Sequence, residues 1–315
     1  MDVKRLGLDG CLRIKEMLPS DTEAKALKAA TTGPQGSEGL HDSEKCLLQL
    51  STIKDVRARV GSMIFLLSAE SACNSLLQAL GLLASASSAA LQSEGLKIVL
   101  VAILAIGNAL NQGTYKGDAR GFRLSSLSKL PSTRSTDGSS NLLDYLLIVL
   151  TARREGGDAS AALALALPES LASLGQAKQL LLSELLRDAQ GLARDCQLSG
   201  KTVDAALAEM GAQEEGSPEV QAAAGLRELQ RAAELKQELL SQAAAGAKES
   251  CEALASYFGE GCESVSQCVG TLAEFLENFD KAKQKQEKID LCEQRKRERE
   301  TNASKGKEYN KTVVK

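Results

Sequence analysis

Few residues in this chain are of a kind that carries bond-making chemistry. There is a single histidine, His41, in a flexible loop, so no Ser-His-Asp, Cys-His or paired-carboxylate arrangement is credible. Eight cysteines (Cys11, Cys46, Cys73, Cys196, Cys251, Cys262, Cys268, Cys292) are scattered without a CxxC pair, which leaves no zinc constellation. Gly200-Lys201-Thr202 matches the end of a phosphate-binding loop, but that motif needs a glycine where Asp195 stands. The glycines Gly107, Gly113, Gly117 and Gly121 are spaced 6, 4 and 4 apart with no strand before them, so they do not form a dinucleotide fingerprint. The expectation is a protein with no enzymatic activity, no metal and no cofactor.

What remains is recognition chemistry, and it concentrates between Ile106 and Leu146. Four glycines there mark positions of positive φ or of close approach by another backbone. Asn108 and Asn111 are suited to hydrogen-bonding the loop backbone. Arg120, Arg123, Lys129 and Arg134 are cations able to make charge-assisted hydrogen bonds to carboxylates. A connection this long between two strongly helical segments more often carries function than not.

The elements that must hold this stretch read as helices. Leu and Ala are abundant, aromatics make up 3% with no Trp, and no run alternates with period two. The fold class is therefore all-α. The formal charge of −3 is unevenly spread, with about +6 in Lys281–Lys315 and −9 in the rest, and that overall sign argues against a nucleic-acid partner. The longest apolar run, Ile98 to Ile106, is far short of the roughly 20 residues of a membrane span. With no secretory leader, the cysteines read as reduced core residues of a cytoplasmic protein.

In chain order, a helix is expected from Val3 to Met17, then a break at Pro19 with Ser20 or Asp21 capping a second helix. Thr31–Gly39 is a loop, and a helix from about Ser43 turns Leu47, Leu48 and Leu50 inward. Ile53–Leu67 is a basic helix with Arg57 and Arg59 solvated and Val56, Val60, Ile64 and Phe65 buried. A separate helix, Ala69–Leu83, ends in the Ala/Ser stretch Ala84–Ala90. Leu91–Leu110 is apolar enough to be buried on every face. Arg153–Asp158 is a hinge, leucines at 171, 174, 181, 185 and 192 follow heptad-like spacing, and Gly211–Pro218 is a linker. Glu219–Phe258 is a long amphipathic helix with Leu226, Leu229, Leu235, Leu239 and Leu240. A Phe-rich helix follows, fading into a charged tail.

The central spacing, Gly107-Asn108-x-x-Asn111-x-Gly113-x-x-x-Gly117-x-Ala119-x-Gly121-Phe122-x-Leu124-x-x-Leu127-x-Lys129-Leu130, resembles the motif of the formin homology 2 domain, which assembles actin filaments. Thr133-Arg134-Ser135-x-Asp137, Leu142-Leu143-x-Tyr145-Leu146 and the later Tyr257-Phe258-Gly259-Glu260 are similar to the same family. The resemblance implies an elongated multi-helix fold. Its parts would be a knob remnant (1–52), coiled-coil bundle helices (53–105), a post (106–165) and return helices (166–300), with a disordered basic tail at 301–315. It also implies that the family's N-terminal lasso and linker are missing, which reads as truncation rather than as a shortened paralogue.

By the same resemblance, Gly107, Asn108, Asn111, Gly113, Gly117, Ala119, Gly121, Phe122 and Leu124 would receive the lasso of a second chain, with Phe122 and Leu124 as the pocket floor. Lys129 and Arg134, backed by Arg120 and Arg123, would touch actin. Arg134 stands where the family usually has lysine, which keeps charge and changes geometry. The plain alternatives stay open: the glycines only shape a corner, and the cations are only solvated. The implied partners are actin and a second such domain, with profilin reached only through a region not present here and with no nucleic acid or membrane span. The implied setting is the cytoplasmic actin cytoskeleton. The tail cluster Arg295-Lys296-Arg297-x-Arg299 is a solvated helix or a binder of acidic faces, anionic lipid or RNA. The rival to actin assembly is a non-catalytic helical scaffold for another cytoskeletal or regulatory partner.

Overall fold

The computed structural model describes residues 3–31, 40–136, 138–210, 218–259 and 265–313. Twelve α-helices are assigned among them, with no strand beyond one isolated bridge: α1 (Val3–Met17), α2 (Asp21–Thr31), α3 (Asp42–Thr52), α4 (Val56–Gln92), α5 (Glu94–Leu110), α6 (Leu142–Glu155), α7 (Ala159–Leu165), α8 (Leu167–Ser170), α9 (Ala172–Ala177), α10 (Leu182–Met210), α11 (Pro218–Phe258) and α12 (Val265–Val313). The chain forms two compact units, Met1–Leu80 with Ser183–Gly246, and Gly81–Leu182 with Ala247–Lys315. Neither is a continuous stretch. The expected linker at 211–217, the loop at 32–39, Asp137, Glu260 and Cys262 lie outside the described residues.

In the first unit the helix starts are fixed by local chemistry. Ser20 and Glu23 form a reciprocal cap on α2: the Ser20 amide donates to Glu23 Oε2 (2.7 Å) and the Glu23 amide to Ser20 Oγ (3.3 Å). The lone histidine does the same for α3, accepting from the Ser43 amide at Nδ1 (3.4 Å) while its own amide donates to Glu44 Oε2 (2.8 Å). Arg57 is not merely solvated. Its Nη2 donates to the carbonyls of Pro19 (2.6 Å) and Leu18 (3.3 Å), tying the start of α4 to the α1–α2 corner.

The core of that unit is a heptad seam. Buried positions fall seven apart on α4 (Leu66, Cys73, Leu80) and on α10 (Ala189, Cys196, Val203), and Ala233 continues it on α11. Leu66, Ala69, Cys196, Val203 and Ala233 make one cluster, edged by Phe65, Leu207, Leu226 and Leu229. The structure differs from the periodicity reading at several points. Met63 and Leu66, rather than Val56, Ile64 and Phe65, join Val60 as the fully buried residues of α4's first turns. Leu181, Leu235 and Leu239 face solvent. The seam follows small residues that a search for leucines passes over. The Ala/Ser stretch does not end a helix either, because alanine is the best helix former and α4 runs through it. By length and composition α4 is long and apolar enough to cross a bilayer. Leu66 and Ala69 of α4 pack in one cluster with Cys196, Val203 and Ala233, and 33% of the apolar window is buried.

In the second unit, Phe275 and Phe279 of α12 (ring centroids 5.7 Å apart) and Leu272 are buried, as are Leu143, Leu146, Leu147 and Leu150 of α6 and Leu167, Leu171 and Leu174 beside them. Each such side chain contributes roughly 1.5–3 kcal/mol of burial. Gly95 admits α7: a Cβ there would lie 2.6 Å from the carbonyl oxygen of Leu163. Helix α5 is not buried all round, since Val101 is 66% and Leu110 65% exposed. Three ion pairs tie α12 in place: Lys178–Glu277 (3.0 Å), Lys283–Glu169 (2.8 Å) and Lys285–Asp144 (3.0 Å). Helix α12 continues to Val313, through most of the stretch expected to be a disordered tail. No disulfide joins the described cysteines, and Cys46 and Cys292 are exposed rather than in a core.

Candidate functional site

Ser93 starts the element that delivers the site: its Oγ accepts from the Leu96 amide (3.1 Å), and α5 then runs to a C-cap at Asn111. In the last turn, the Asn108 side chain reaches eleven residues ahead. Its Nδ2 donates to the Ala119 carbonyl (2.9 Å) and its Oδ1 accepts from the Ala119 amide (2.9 Å). One side-chain amide thereby replaces a strand partner and closes the loop from 109 to 118. Asn111 Nδ2 donates back to the Gly107 carbonyl (2.9 Å), which also accepts the Asn111 amide (3.1 Å), so both groups of one residue hold the helix end. Asn108 thus bonds loop backbone as expected, whereas Asn111 bonds the backbone of α5 instead.

The four glycines separate into three kinds. Gly113 alone among them has positive φ, +78°. Gly117 is required by a crossing within the loop, where a Cβ would stand 2.8 Å from the Asn111 carbonyl oxygen. Gly107 and Gly121 have neither positive φ nor any atom near the place of a Cβ. Asp118, φ +55°, supplies a left-handed residue that no glycine announced; Asp tolerates that region through its short polar side chain. At the loop tip Tyr115 is 92% exposed, with Lys116 Nζ 5.5 Å from its ring centre.

Beyond Ala119 the chain carries Arg120, Gly121, Phe122 and Arg123 on the surface and then enters a 3₁₀ turn, Leu124–Lys129. Leu124, Leu127 and Leu130 are buried and anchor it. Leu124 is therefore a core residue, 4% exposed, and not the floor of an open pocket; Phe122, 36% exposed, is the accessible member of the pair. The turn points its polar side outward because its three leucines point in. Lys129 is exposed, and its carbonyl accepts from the Ser132 and Thr133 amides and both hydroxyls (2.9–3.2 Å). Arg134, also exposed, sits in an antiparallel bridge with Asn141, flanked by the Ser135 amide on the Ser140 carbonyl and the Leu142 amide on the Thr133 carbonyl (both 2.9 Å).

Asn141 then caps α6. The Asp144 amide donates to its Oδ1 (2.9 Å), and its own amide donates to Asp144 Oδ2 (3.1 Å). Asp144 is 8% exposed and also receives Lys285 Nζ, so one carboxylate holds both the exit of the loop and helix α12. The pair Asn141-x-x-Asp144 is a capping pattern legible in the sequence, but its partner Lys285 lies 141 residues away and is not. Arg120, Arg123, Lys129 and Arg134 all occupy exposed positions on a stretch pinned at Asn108, at the 3₁₀ turn and at Asn141. Such an arrangement presents cations to an acidic partner; among the described residues, no group of three His, Cys, Asp or Glu side chains is placed to hold a metal ion.

The family model described as Formin Homology 2 Domain matches residues 1–280. A formin-like protein of Drosophila melanogaster is 31% identical over 153 residues, 49% of this chain and 13% of that protein. Formin-like protein 18 of Arabidopsis thaliana is 30% identical over 282 residues, covering 89% of this chain and 23% of the relative. Formin-like protein 16 of the same plant is 29% identical over 302 residues, covering 94% and 39%. The chain spans well under half the length of each of these relatives.

Proposed function

The chain belongs to the formin homology 2 family, and from that premise we propose that it binds actin through the exposed cations of the Ile106–Leu146 corner. Nucleation of filaments and association with their barbed ends are the steps it would serve, without catalysis. The observation that carries this reading is the placement of Arg120, Arg123, Lys129 and Arg134 at exposed positions on a loop whose backbone is fixed at three places. A rigid presentation lowers the ordering cost of binding, and guanidinium or ammonium groups make strong hydrogen bonds to carboxylates. The open space at Gly107 and Gly121, beside half-exposed Phe122, supports docking of a segment from a second such domain. Two linked sites would raise avidity by roughly 10²–10⁴ over one. Profilin would be engaged only by a region outside this sequence, and the setting is the cytoplasmic actin cytoskeleton.

The test is growth of actin from preformed filament seeds with this chain titrated in, beside the variant Lys129→Ala/Arg134→Ala. Slowed barbed-end growth, relieved in the variant at equal melting temperature, is the expected result. Equal effects of the two proteins would overturn the assignment of these cations. No effect from either would leave the helical-scaffold reading in its place.

A further inference from the structure

Away from the loop, the first unit holds a cavity of about 250 Å³ between the start of α4, the end of α10 and the start of α11. Ile53, Met63, Val203, Leu207 and Leu226 wall it. The space exists because Ala206, Ala222 and Ala223 stand where larger side chains would close it. Apolar space of this size is poorly solvated by water and is filled at a gain by hydrocarbon. One polar side chain is set deep in it. Ser62 is 8% exposed, lines the cavity one turn along α4 from Arg59, and its hydroxyl has no hydrogen-bond partner among the described residues. Thr202, also in the wall, already donates its hydroxyl to the Leu198 carbonyl (3.0 Å). A buried hydroxyl without a partner costs stability that an alanine would not, so Ser62 points to an acceptor inside the cavity.

A second chamber of about 200 Å³ adjoins the first and shares Arg59, Thr202 and Ala206 with it. Lys54, Asp55 and Lys201 complete its rim, so three cations stand against one carboxylate at the mouth. Together the chambers fall within the range of ordinary small-molecule sites, roughly 300–1,000 Å³. An apolar interior with one donor and a positive mouth selects a ligand with a hydrocarbon body and an anionic, accepting head. A plain hydrocarbon would leave Ser62 unmet, and a small inorganic anion would leave the cavity empty.

We infer that this cavity binds an aliphatic carboxylate of the fatty-acid type. Its chain lies between α4, α10 and α11, and its carboxylate sits where the chambers meet, accepting from Ser62 Oγ and pairing with Lys201. The inference does not depend on actin binding. It is tested by calorimetric titration of octanoate, decanoate and dodecanoate into the whole chain at physiological ionic strength, beside decyltrimethylammonium, which carries the tail of decanoate on a cation. Saturable one-to-one binding of the carboxylates is expected, tightening by up to about fourfold per added CH₂ until the cavity is full. The cationic amphiphile should bind at least tenfold more weakly than decanoate. Ala206→Leu and Ala223→Leu each narrow the cavity, and whichever of them still melts cooperatively should lose at least tenfold. Lys201→Gln and Ser62→Ala should weaken decanoate and leave decyltrimethylammonium unchanged. Lys248→Gln, which removes equal charge from α11 in the other unit, should bind as the parent does. Equal affinity for the two decyl amphiphiles, or full decanoate affinity in both Lys201→Gln and Ser62→Ala, would remove the head-group site and overturn the inference. Unsaturable binding, or full affinity in the narrowed cavity, would put the amphiphile elsewhere on the surface and overturn it as well.

Discussion

Asn108 holds Ala119 by both backbone atoms, donating to its carbonyl and accepting from its amide at 2.9 Å each. This two-point contact converts a ten-residue excursion into a closed unit. It lets Gly113, Gly117 and Asp118 take conformations that an open loop would not keep.

Replacing Asn108 with alanine removes both bonds and leaves two backbone groups half-buried. The loss is expected to be about 1–3 kcal/mol, borne mostly by the loop. Amide exchange between residues 109 and 119 should accelerate well before exchange in α6. Equal protection of the loop in variant and parent would show that the clamp is redundant.

Two glycines give opposite outcomes on the same substitution. Gly95→Ala places a methyl 2.6 Å from the Leu163 carbonyl, so α5 and α7 must separate, at a cost of about 1–3 kcal/mol in a urea melt. Gly107→Ala meets nothing within 4 Å on a helical backbone and should stabilise the chain by about 0.5–1 kcal/mol. If a second domain packs against Gly107, the same variant should show weaker self-association despite its higher stability. Unchanged association would place the partner elsewhere.

Asp144→Ala strips the cap from α6 and the partner from Lys285 together. A loss of about 1–3 kcal/mol is expected, near the upper end for a single cap because the carboxylate is buried. Lys285→Ala should cost less, since the cap survives. A larger loss from the lysine variant would mean that the ion pair, not the cap, dominates.

Acid should weaken three local contacts. Hydrogen bonds from the Ser20 amide and hydroxyl hold Glu23 below the ordinary 4.5, those from Ser160 and then Arg153 lower Asp158, and the Lys283 ammonium lowers Glu169. Each folded-state value is depressed, so each contribution is fully present above the unfolded value and disappears as pH falls through the folded one. Between pH 7 and about 5 these groups should leave the melting temperature flat, and below about 4.5 it should fall. Glu169→Gln should show a shallower acid limb. An acid limb as steep as the parent's would exclude the Glu169–Lys283 pair as a source of the dependence.

The sequence determined the all-α class, most helix starts and the Gly107–Leu130 motif, because these rest on local physics. Ser20 and Asn141 announce helix starts through side chains that reach only three residues. The Gly107–Leu130 spacing is a fixed pattern within one stretch, and its likeness to a known domain needed no coordinates. Only the tertiary structure decided which face of each element is buried. Leu124 went into the core while Phe122 stayed accessible, and Leu235 and Leu239 were left in solvent while Gln230, Ala233 and Cys196 took the seam. Hydrophobicity ranks residues singly, whereas the seam is set by which positions fall seven apart on three helices at once. Lys285 with Asp144, and Gln230 with Cys196, are contacts across 141 and 34 residues. Nothing in the local pattern encodes them, because they exist only once the helices have packed.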